Sequence, residues 1–166
     1  MKILTLLAAF LICVNCGNKQ DTIPSYTNQW EDLFGKYIQN PVDIRINKGL
    51  KPVVGHPAFD YQVAISVPVQ NPQKDGLPNR TEEKQLKKLE NILVQKLVEK
   101  KETVFAAVIK TDKRCDFIFY SGDKKSAKKK LESLGETIND YPLNTSLKKD
   151  NKWVTYAWFA QWKSEP

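Results

Sequence analysis

The sequence contains little of the chemistry from which metal sites and disulfides are built. Its 166 residues include one histidine, His56, and three cysteines, Cys13, Cys16 and Cys115. Two of these cysteines lie at the N-terminus, so only Cys115 remains in the body of the chain. A disulfide there would need a second cysteine. A zinc site usually takes four cysteine or histidine ligands at short spacings. The sequence therefore predicts no metal site and no disulfide within the chain.

The single histidine and the body cysteine have ordinary structural explanations. His56 stands between Gly55 and Pro57 in a loop, which is typical of a surface or hydrogen-bonded imidazole. Cys115 stands where a strand is predicted to begin, and free cysteine is often a small buried residue. A nucleophilic cysteine would need a neighbouring base. We predict a structural role for both residues.

Glycine clusters and arginine are scarce as well. The seven glycines are isolated, so no loop is built to cradle a phosphate, and no serine has the context of a nucleophile elbow. Only Arg45, Arg80 and Arg114 among the 26 basic residues are arginines; the others are lysines spread along the chain. Nucleic-acid sites usually use arginine for bidentate and stacking contacts. The formal net charge of +7 therefore indicates a solvated surface, and we predict no cofactor and no nucleic-acid partner.

Carboxylates are the remaining source of catalytic groups. A converging pair could perform acid–base chemistry, but sequence spacing identifies no such pair, and acids of this kind are usually solvated or capping. The sequence thus predicts no catalytic residue. The acids considered are Asp60, Asp75, Glu90, Asp112, Asp116 and Asp123.

The longest uninterrupted apolar run lies at the N-terminus. Met1-Lys2 is a short basic start, and the run from Ile3 to Ile12 is too short for a stable membrane span but suits a secretory signal. The run is followed by Cys13-Val14-Asn15-Cys16. We predict Cys16 to be the lipidated first residue of a mature bacterial lipoprotein. Cys13 and Asn15 replace the leucine and the small residue usual before that cysteine. Secretion with nearby cleavage, or retention of an uncleaved segment, are the alternatives.

These boundaries give a domain organisation. Residues 1–16 form the signal peptide with the lipidation cysteine at its end, 17–25 a polar tether, and 26–166 a single α+β domain. The expected location is the bacterial cell envelope, with membrane anchoring through the lipid. A secreted or periplasmic protein is the second choice.

A long helix is predicted from Glu82 to Lys100, after the turn Gly76-Leu77-Pro78. Thr81 or Asn79 can cap it, because either side-chain oxygen accepts a bond from a free backbone N–H. Its apolar residues recur at spacings of three and four, which places them on one face. They are Leu86, Leu89, Ile92, Leu93 and Leu97.

Alternating and continuous apolar runs predict strands around this helix. The residues from Tyr26 to Tyr37 indicate a helical turn or two, and Gly49 to Pro57 a loop. The resulting order is β-β-α-β-β-α-β. The strands are Val42 to Ile46, Tyr61 to Val69, Val104 to Ile109, Asp116 to Tyr120 and Tyr141 to Leu147, and the second helix is Lys124 to Leu134.

The C-terminal stretch from Trp153 to Trp162 is dense in aromatic residues, and its spacing fits either a helix or a strand. Exposed rings could form a hot spot for a partner, with Trp153, Tyr156, Trp158 and Trp162 as the predicted contacts. The alternative is that they cover the open side of the sheet.

A lysine cluster marks the second helix. It could touch anionic lipid headgroups or simply be a solvated face, and the solvated face is the ordinary explanation. The cluster comprises Lys124, Lys125, Lys128, Lys129 and Lys130.

The sequence contains a set of marks in fixed order: Trp30 and Tyr37, Gly76-Leu77-Pro78 with Glu82, Leu89-Glu90, Phe117-Ile118-Phe119-Tyr120, and Asp150 with Trp153 and Tyr156. Together these marks resemble the bacterial family of unknown function numbered 695, from Tyr26 to the end of the chain. Lys113 stands where a glycine is expected, and the chain ends in Lys163-Ser164-Glu165-Pro166 rather than soon after an aliphatic residue.

The resemblance implies no established activity and no catalytic residues. Some members are joined to, or resemble, a ferredoxin-like regulator that binds and inhibits a ribonuclease, which is fold-level analogy. With the element order above, it predicts an α+β fold with a ferredoxin-like antiparallel sheet, helices on one face and an aromatic C-terminal helix.

These observations favour a non-catalytic envelope lipoprotein whose α+β domain binds another protein. One alternative is an extracytoplasmic hydrolase that uses an unidentified carboxylate site. The other is a nuclease-binding regulator, which requires a cytoplasmic location.

Overall fold

The computed structural model describes residues 22–99 and 102–162. The predicted signal peptide, its lipidated Cys16 and the tether up to residue 21 lie outside the described residues. Residues 22–29 precede the first strand and contain neither helix nor strand. None of the helices in the described ranges combines the length and the hydrophobicity that a membrane crossing requires.

The described chain forms six strands, three α-helices and, between the second and third strands, two short 3-10 helices at Lys48–Val53 and Pro57–Phe59. The strands are β1 Trp30–Tyr37, β2 Asn40–Asn47, β3 Tyr61–Pro68, β4 Thr103–Thr111, β5 Arg114–Ser121 and β6 Asn144–Lys149. The α-helices are α1 Arg80–Leu97, α2 Lys124–Thr137 and α3 Val154–Ala160.

The strands form one antiparallel sheet in the order β1-β2-β4-β5-β3-β6. Both faces of the sheet are covered. The apolar stripes of α1 and α2 pack on one face, while α3 and the 3-10 helices pack on the other. The α+β prediction is confirmed, but six strands do not confirm the ferredoxin-like order.

The prediction of helical turns over residues 26–37 is wrong. Trp30, Phe34 and Tyr37 have helical spacing, yet Trp30–Tyr37 pairs along its length with β2 as the edge strand β1, and residues 26–29 precede that strand without a helix. In a strand, neighbouring side chains alternate between faces, so Phe34 and Tyr37 lie on opposite sides of the sheet. The backbone pairing with β2 outweighs the local pattern, which offered no apolar alternation because only Leu33 of β1 is buried.

The central helix is confirmed, with its end three residues earlier than predicted. The Asn79 side chain accepts hydrogen bonds from the backbone N–H groups of Thr81 and Glu82, both at 2.9 Å, and so caps the first turn. Four of the five predicted stripe residues are buried and Ile92 is half-buried. The buried ones are Leu86, Leu89, Leu93 and Leu97.

The β4–β5 hairpin shows why glycine is expected at residue 113. Asp112 and Lys113 join the strands with φ of 47° and 61°, the left-handed pair of a type I′ turn. We expect Lys113→Gly to raise the free energy of unfolding by about 0.5–1 kcal/mol, because glycine adopts this conformation without a Cβ clash. Denaturant unfolding with an unchanged m-value would measure this gain. A loss of stability would show that the Lys113 side chain contributes more than its backbone strain costs.

Candidate functional site

The C-terminal aromatic residues form a helix, α3, and its two ends are fixed by polar contacts. The Asp150 carboxylate accepts a hydrogen bond from the Val154 N–H at 3.0 Å. At the other end, the Lys48 ammonium donates to the Ala160 carbonyl at 2.7 Å. A cation at a helix C-terminus also interacts favourably with the helix dipole. The helical alternative for this segment is therefore confirmed.

Two of the four predicted contact residues are core residues. Trp153 is fully buried and stacks on Tyr120 with ring centroids 3.8 Å apart, while its indole N–H donates to the Phe59 carbonyl at 2.9 Å. Tyr156 is also buried, and its hydroxyl donates to the Asn47 carbonyl at 2.8 Å. Both residues cover the second face of the sheet, so neither can contact a partner in this structure.

The other two predicted contacts lie further out. Trp158 is 46% exposed and packs edge-on against Tyr37 of β1, with ring centroids 5.3 Å apart. Trp162 is half-buried beside Trp158 and covers Gly35, where an added Cβ would lie 2.9 Å from the Trp162 indole nitrogen. A glycine in β1 thus allows the end of the chain to approach the sheet.

We define the aromatic surface as Tyr37, Ile38, Val154 and Trp158. Their exposed fractions are 44%, 74%, 63% and 46%. Tyr37 and Ile38 are consecutive at the tip of the β1–β2 hairpin, and Val154 lies one helical turn before Trp158 on the same side of α3. The Tyr37–Trp158 ring contact joins the two pairs into one apolar surface.

The backbone of the aromatic surface is strained at Ile38. Its φ is 47°, and the next residue, Gln39, has a φ of 74°. A β-branched residue with positive φ is a genuine outlier, since its side chain crowds the backbone there. Ile38 is also the most exposed of the large apolar side chains in the described ranges, so burial does not offset this strain.

The acidic residues considered from the sequence occupy separate helix caps, turns and ion pairs. Asp123 caps α2, Asp75 accepts from the Leu77 N–H in a turn, and Asp112 occupies the β4–β5 turn. Asp60 pairs with Lys149, Asp116 with Arg114, and Glu90 with Arg45 and Lys87. The described ranges hold no group of three or more His, Cys, Asp or Glu residues placed to bind a metal ion.

Two buried carboxylates have roles that the sequence interpretation missed. Glu82 is fully buried beneath the loop that precedes α1 and accepts hydrogen bonds from Gln70, Asn71 and Tyr141. Burial raises its pKa, but these hydrogen bonds outweigh burial and hold the pKa below the value of 4.5 for a free glutamate. From the sequence alone, a glutamate in the first turn of α1 predicts only a favourable interaction with the helix dipole.

The second buried carboxylate, Asp150, lies under α3. It accepts from the Tyr120 hydroxyl at 3.1 Å and from the Gln62 amide at 3.4 Å. Burial raises the pKa of the Tyr120 hydroxyl, and the charge of Asp150 raises it further. Tyr120 therefore stays protonated and acts as a hydrogen-bond donor that ties β5 to the start of α3.

His56 and Cys115 are placed as expected. The His56 ring accepts a hydrogen bond from the Ala58 N–H at 3.1 Å and caps the second 3-10 helix. Cys115 is fully buried in the sheet, and burial raises the pKa of its thiol far above the ordinary range. A thiol held protonated in an apolar core is a poor nucleophile.

The lysine cluster of α2 is for the most part a solvated face. Lys130 is half-buried and pairs with Glu99 at 2.7 Å, and Lys128 lies 3.7 Å from Glu132 one helical turn away. Exposed ion pairs of this kind contribute little to stability.

The comparisons with known proteins agree with the marks found in the sequence. A family model described as a family of unknown function, DUF695, matches residues 28–160, which is most of the chain and almost all of the described fold. No curated protein and no solved structure matches the chain. The matched region contains β1, the central helix, the buried Glu82 and Asp150, and α3. The chain belongs to DUF695, a family of unknown function.

Proposed function

We propose that this protein is a non-catalytic binding protein of the bacterial envelope. A lipid on Cys16 holds it at a membrane, and the aromatic surface binds a protein partner. The binding role rests on one observation: the exposed side chains of Tyr37, Ile38, Val154 and Trp158 form a single apolar surface that includes the strained tip of the β1–β2 hairpin. The anchor rests on the N-terminal sequence pattern.

The composition of the aromatic surface supports a protein partner. Binding hot spots are enriched in tryptophan and tyrosine, which bring a large rigid contact area at low entropic cost. An apolar surface on a soluble domain is unfavourable unless something covers it, so its presence supports an interaction. The strain at Ile38 supports the same interpretation, because strained residues cluster at functional sites.

Part of the sheet also supports the ferredoxin-like analogy. The segment β3-α1-β4-β5-α2-β6 runs β-α-β-β-α-β, and its strands lie in the order β4-β5-β3-β6 with antiparallel pairing throughout. This order resembles the split arrangement of ferredoxin-like domains, which supports the analogy. The β1–β2 hairpin would then be an addition at the β4 edge, and it carries half of the aromatic surface. A nuclease-binding regulator is the second candidate, and a cytoplasmic location would favour it.

Site-specific photo-crosslinking tests the aromatic surface. We expect a photoreactive amino acid at Trp158 or Tyr37 to give a discrete protein adduct in cells that make the protein naturally. Phe34 is the matched control, since it is an exposed aromatic residue of the same strand but lies on the opposite face. Equal adducts from Phe34 and Tyr37, or none from Tyr37 and Trp158, would reject the aromatic surface as the contact.

The mass of the mature N-terminal peptide tests the anchor separately. We expect the membrane fraction to contain a chain that begins at a diacylated Cys16, and Cys16→Ser to abolish this species. An unmodified N-terminus after cleavage would indicate a secreted protein. Retention of Met1 and the apolar run would contradict the envelope location and favour the regulator.

A further inference from the structure

A second surface, different from the aromatic surface, contains a recess. On one face of the sheet, the helices α1 and α2 cover the strands β4, β5, β3 and β6. The β1–β2 hairpin extends the sheet beyond these helices. A cavity of about 780 Å³ lies between α1 and this hairpin, and residues 23–28 form a further wall. Ligand sites for small molecules commonly have volumes of about 300–1,000 Å³. The recess is therefore large enough for a ligand of some size.

The greater part of the cavity wall is apolar. Trp30 of β1 and Phe105 of β4 stand in contact, with ring centroids 5.0 Å apart. Val94 of α1 and Val98, the residue that follows the helix, form the facing side, and Val98 is 39% exposed. These side chains offer a tail-binding surface that is open to solvent at one end.

The charged lining has a positive excess. Its charged residues are Arg45, Lys87 and Glu90, which give two positive charges and one negative charge. Glu90 is buried and pairs with both cations, with the Lys87 ammonium at 2.6 Å. The charged residues that line the cavity therefore have a net charge of +1.

Arg45 is positioned to receive an anion. Its guanidinium lies over the Trp30 ring, 4.8 Å from the centroid, and donates through Nη2 to Glu90. A guanidinium has five N–H donors, so the bond to Glu90 does not exhaust its capacity. Stacking and ion pairing hold the side chain in place, and less entropy is lost when it binds a carboxylate or phosphate.

We propose that this cavity binds a single-tailed amphiphile with an anionic headgroup. The apolar tail lies along Trp30, Phe105 and Val94, and Arg45 binds the headgroup. Both a free fatty acid and a lysophospholipid have this chemistry. The proposal does not depend on the protein partner, because Trp30 and Arg45 lie on the face of the sheet opposite to Tyr37.

Photolabelling of the full chain tests the cavity directly. The probe is decanoate that carries a terminal diazirine, used below its micelle concentration and at subsaturating amounts. We expect adducts in the peptides that contain Trp30, Val94 or Phe105. Unlabelled decanoate should compete, whereas decanol and decyltrimethylammonium should compete at least about tenfold more weakly. The decanol hydroxyl can accept a hydrogen bond but carries no charge to pair with Arg45, and the quaternary ammonium has no acceptor and is repelled by it.

Charge variants separate anion recognition from simple apolar binding. Arg45→Gln should lower the labelling about tenfold through loss of a charged hydrogen bond. Glu90→Gln should raise it several-fold, because it removes the anion that competes for Arg45. Lys128→Gln removes an exposed lysine outside the cavity and should leave labelling unchanged. Equal labelling in all three variants would overturn the proposal.

Filling the cavity gives a test that is independent of charge. Val94→Trp should abolish the labelling. Val98→Trp should reduce it, and because Val98 is exposed, the larger side chain need not be packed into the core. Circular dichroism confirms which of these variants remains folded. Labelling that persists in a folded cavity-filling variant, or adducts spread over the whole surface, would overturn the proposal. Competition by decanoate but not by a lysophospholipid identifies a free fatty acid as the ligand, and stronger competition by a lysophospholipid than by decanoate identifies the membrane lipid. Labelling that unlabelled decanoate does not reduce would overturn the proposal.

Discussion

Replacement of Glu82 by alanine is expected to lower the free energy of unfolding by about 3–5 kcal/mol. Glu82 is fully buried and accepts four hydrogen bonds, from the backbone N–H groups of Gln70 and Asn71, the Asn71 amide and the Tyr141 hydroxyl. Their lengths lie between 2.8 and 3.0 Å. A buried donor that loses its acceptor costs about 1–3 kcal/mol, and hydrogen bonds to a charged group are stronger than neutral ones.

The matched control is Glu132, an exposed acid of α2 that lies 3.7 Å from Lys128. Glu132→Ala should change the free energy of unfolding by less than about 0.5 kcal/mol, as exposed pairs of this kind do. Glu82→Gln keeps the shape but has one acceptor oxygen instead of two, so it should fall between the two alanine variants. Denaturant unfolding measures all three. Similar losses for Glu82→Ala and Glu132→Ala would contradict a structural role for the buried carboxylate.

Acid stability gives an independent test of Glu82. Burial raises the pKa of this group, but its hydrogen bonds outweigh burial, so the folded pKa lies below the unfolded value of 4.5. A depressed folded pKa stabilises the fold fully above the unfolded pKa. The contribution declines as the pH falls through 4.5 and is lost once the pH passes below the folded pKa. The difference in unfolding free energy between the protein and Glu82→Gln should therefore shrink over this range.

The parts of the fold that follow a local period could be predicted from the sequence. The stripe of α1 repeats with the helical period, and Asn79 has the chemistry of a cap, so the helix was found almost to its ends. The alternation of Val42, Ile44 and Ile46 identified β2. In contrast, β1 is held by its pairing with β2, and Trp30 and Phe34 gave only a misleading helical spacing.

The candidate site depended on contacts between distant residues, which no local pattern contains. The acceptor role of Glu82 requires Tyr141, which is 59 residues away. The burial of Trp153 requires Tyr120 and Phe59, which reach it from β5 and from the second 3-10 helix. The sequence placed these aromatic residues in one group but contained no signal that divides the group into buried and exposed members.

The buried member Trp153 is the subject of the second prediction with a large expected effect on stability. Trp153→Ala is expected to lower the free energy of unfolding by about 3–5 kcal/mol, as truncation of a fully buried aromatic residue does. It removes the stacking on Tyr120 and leaves the Phe59 carbonyl without its donor. Trp153→Phe should recover part of this loss, because a ring remains on Tyr120 although the indole N–H is gone.

Trp158→Ala is the comparison that links stability to binding. Trp158 is 46% exposed, and its replacement should cost less than about 1 kcal/mol because little area leaves the core. If the aromatic surface binds a partner, the same variant should lose the partner while it unfolds almost like the natural protein. Trp153→Ala should lose the partner only to the extent that it unfolds, since its own ring is inaccessible. Equal destabilisation by both variants would show that Trp158 belongs to the core, and α3 would then contribute only Val154 to the aromatic surface, with no exposed aromatic ring.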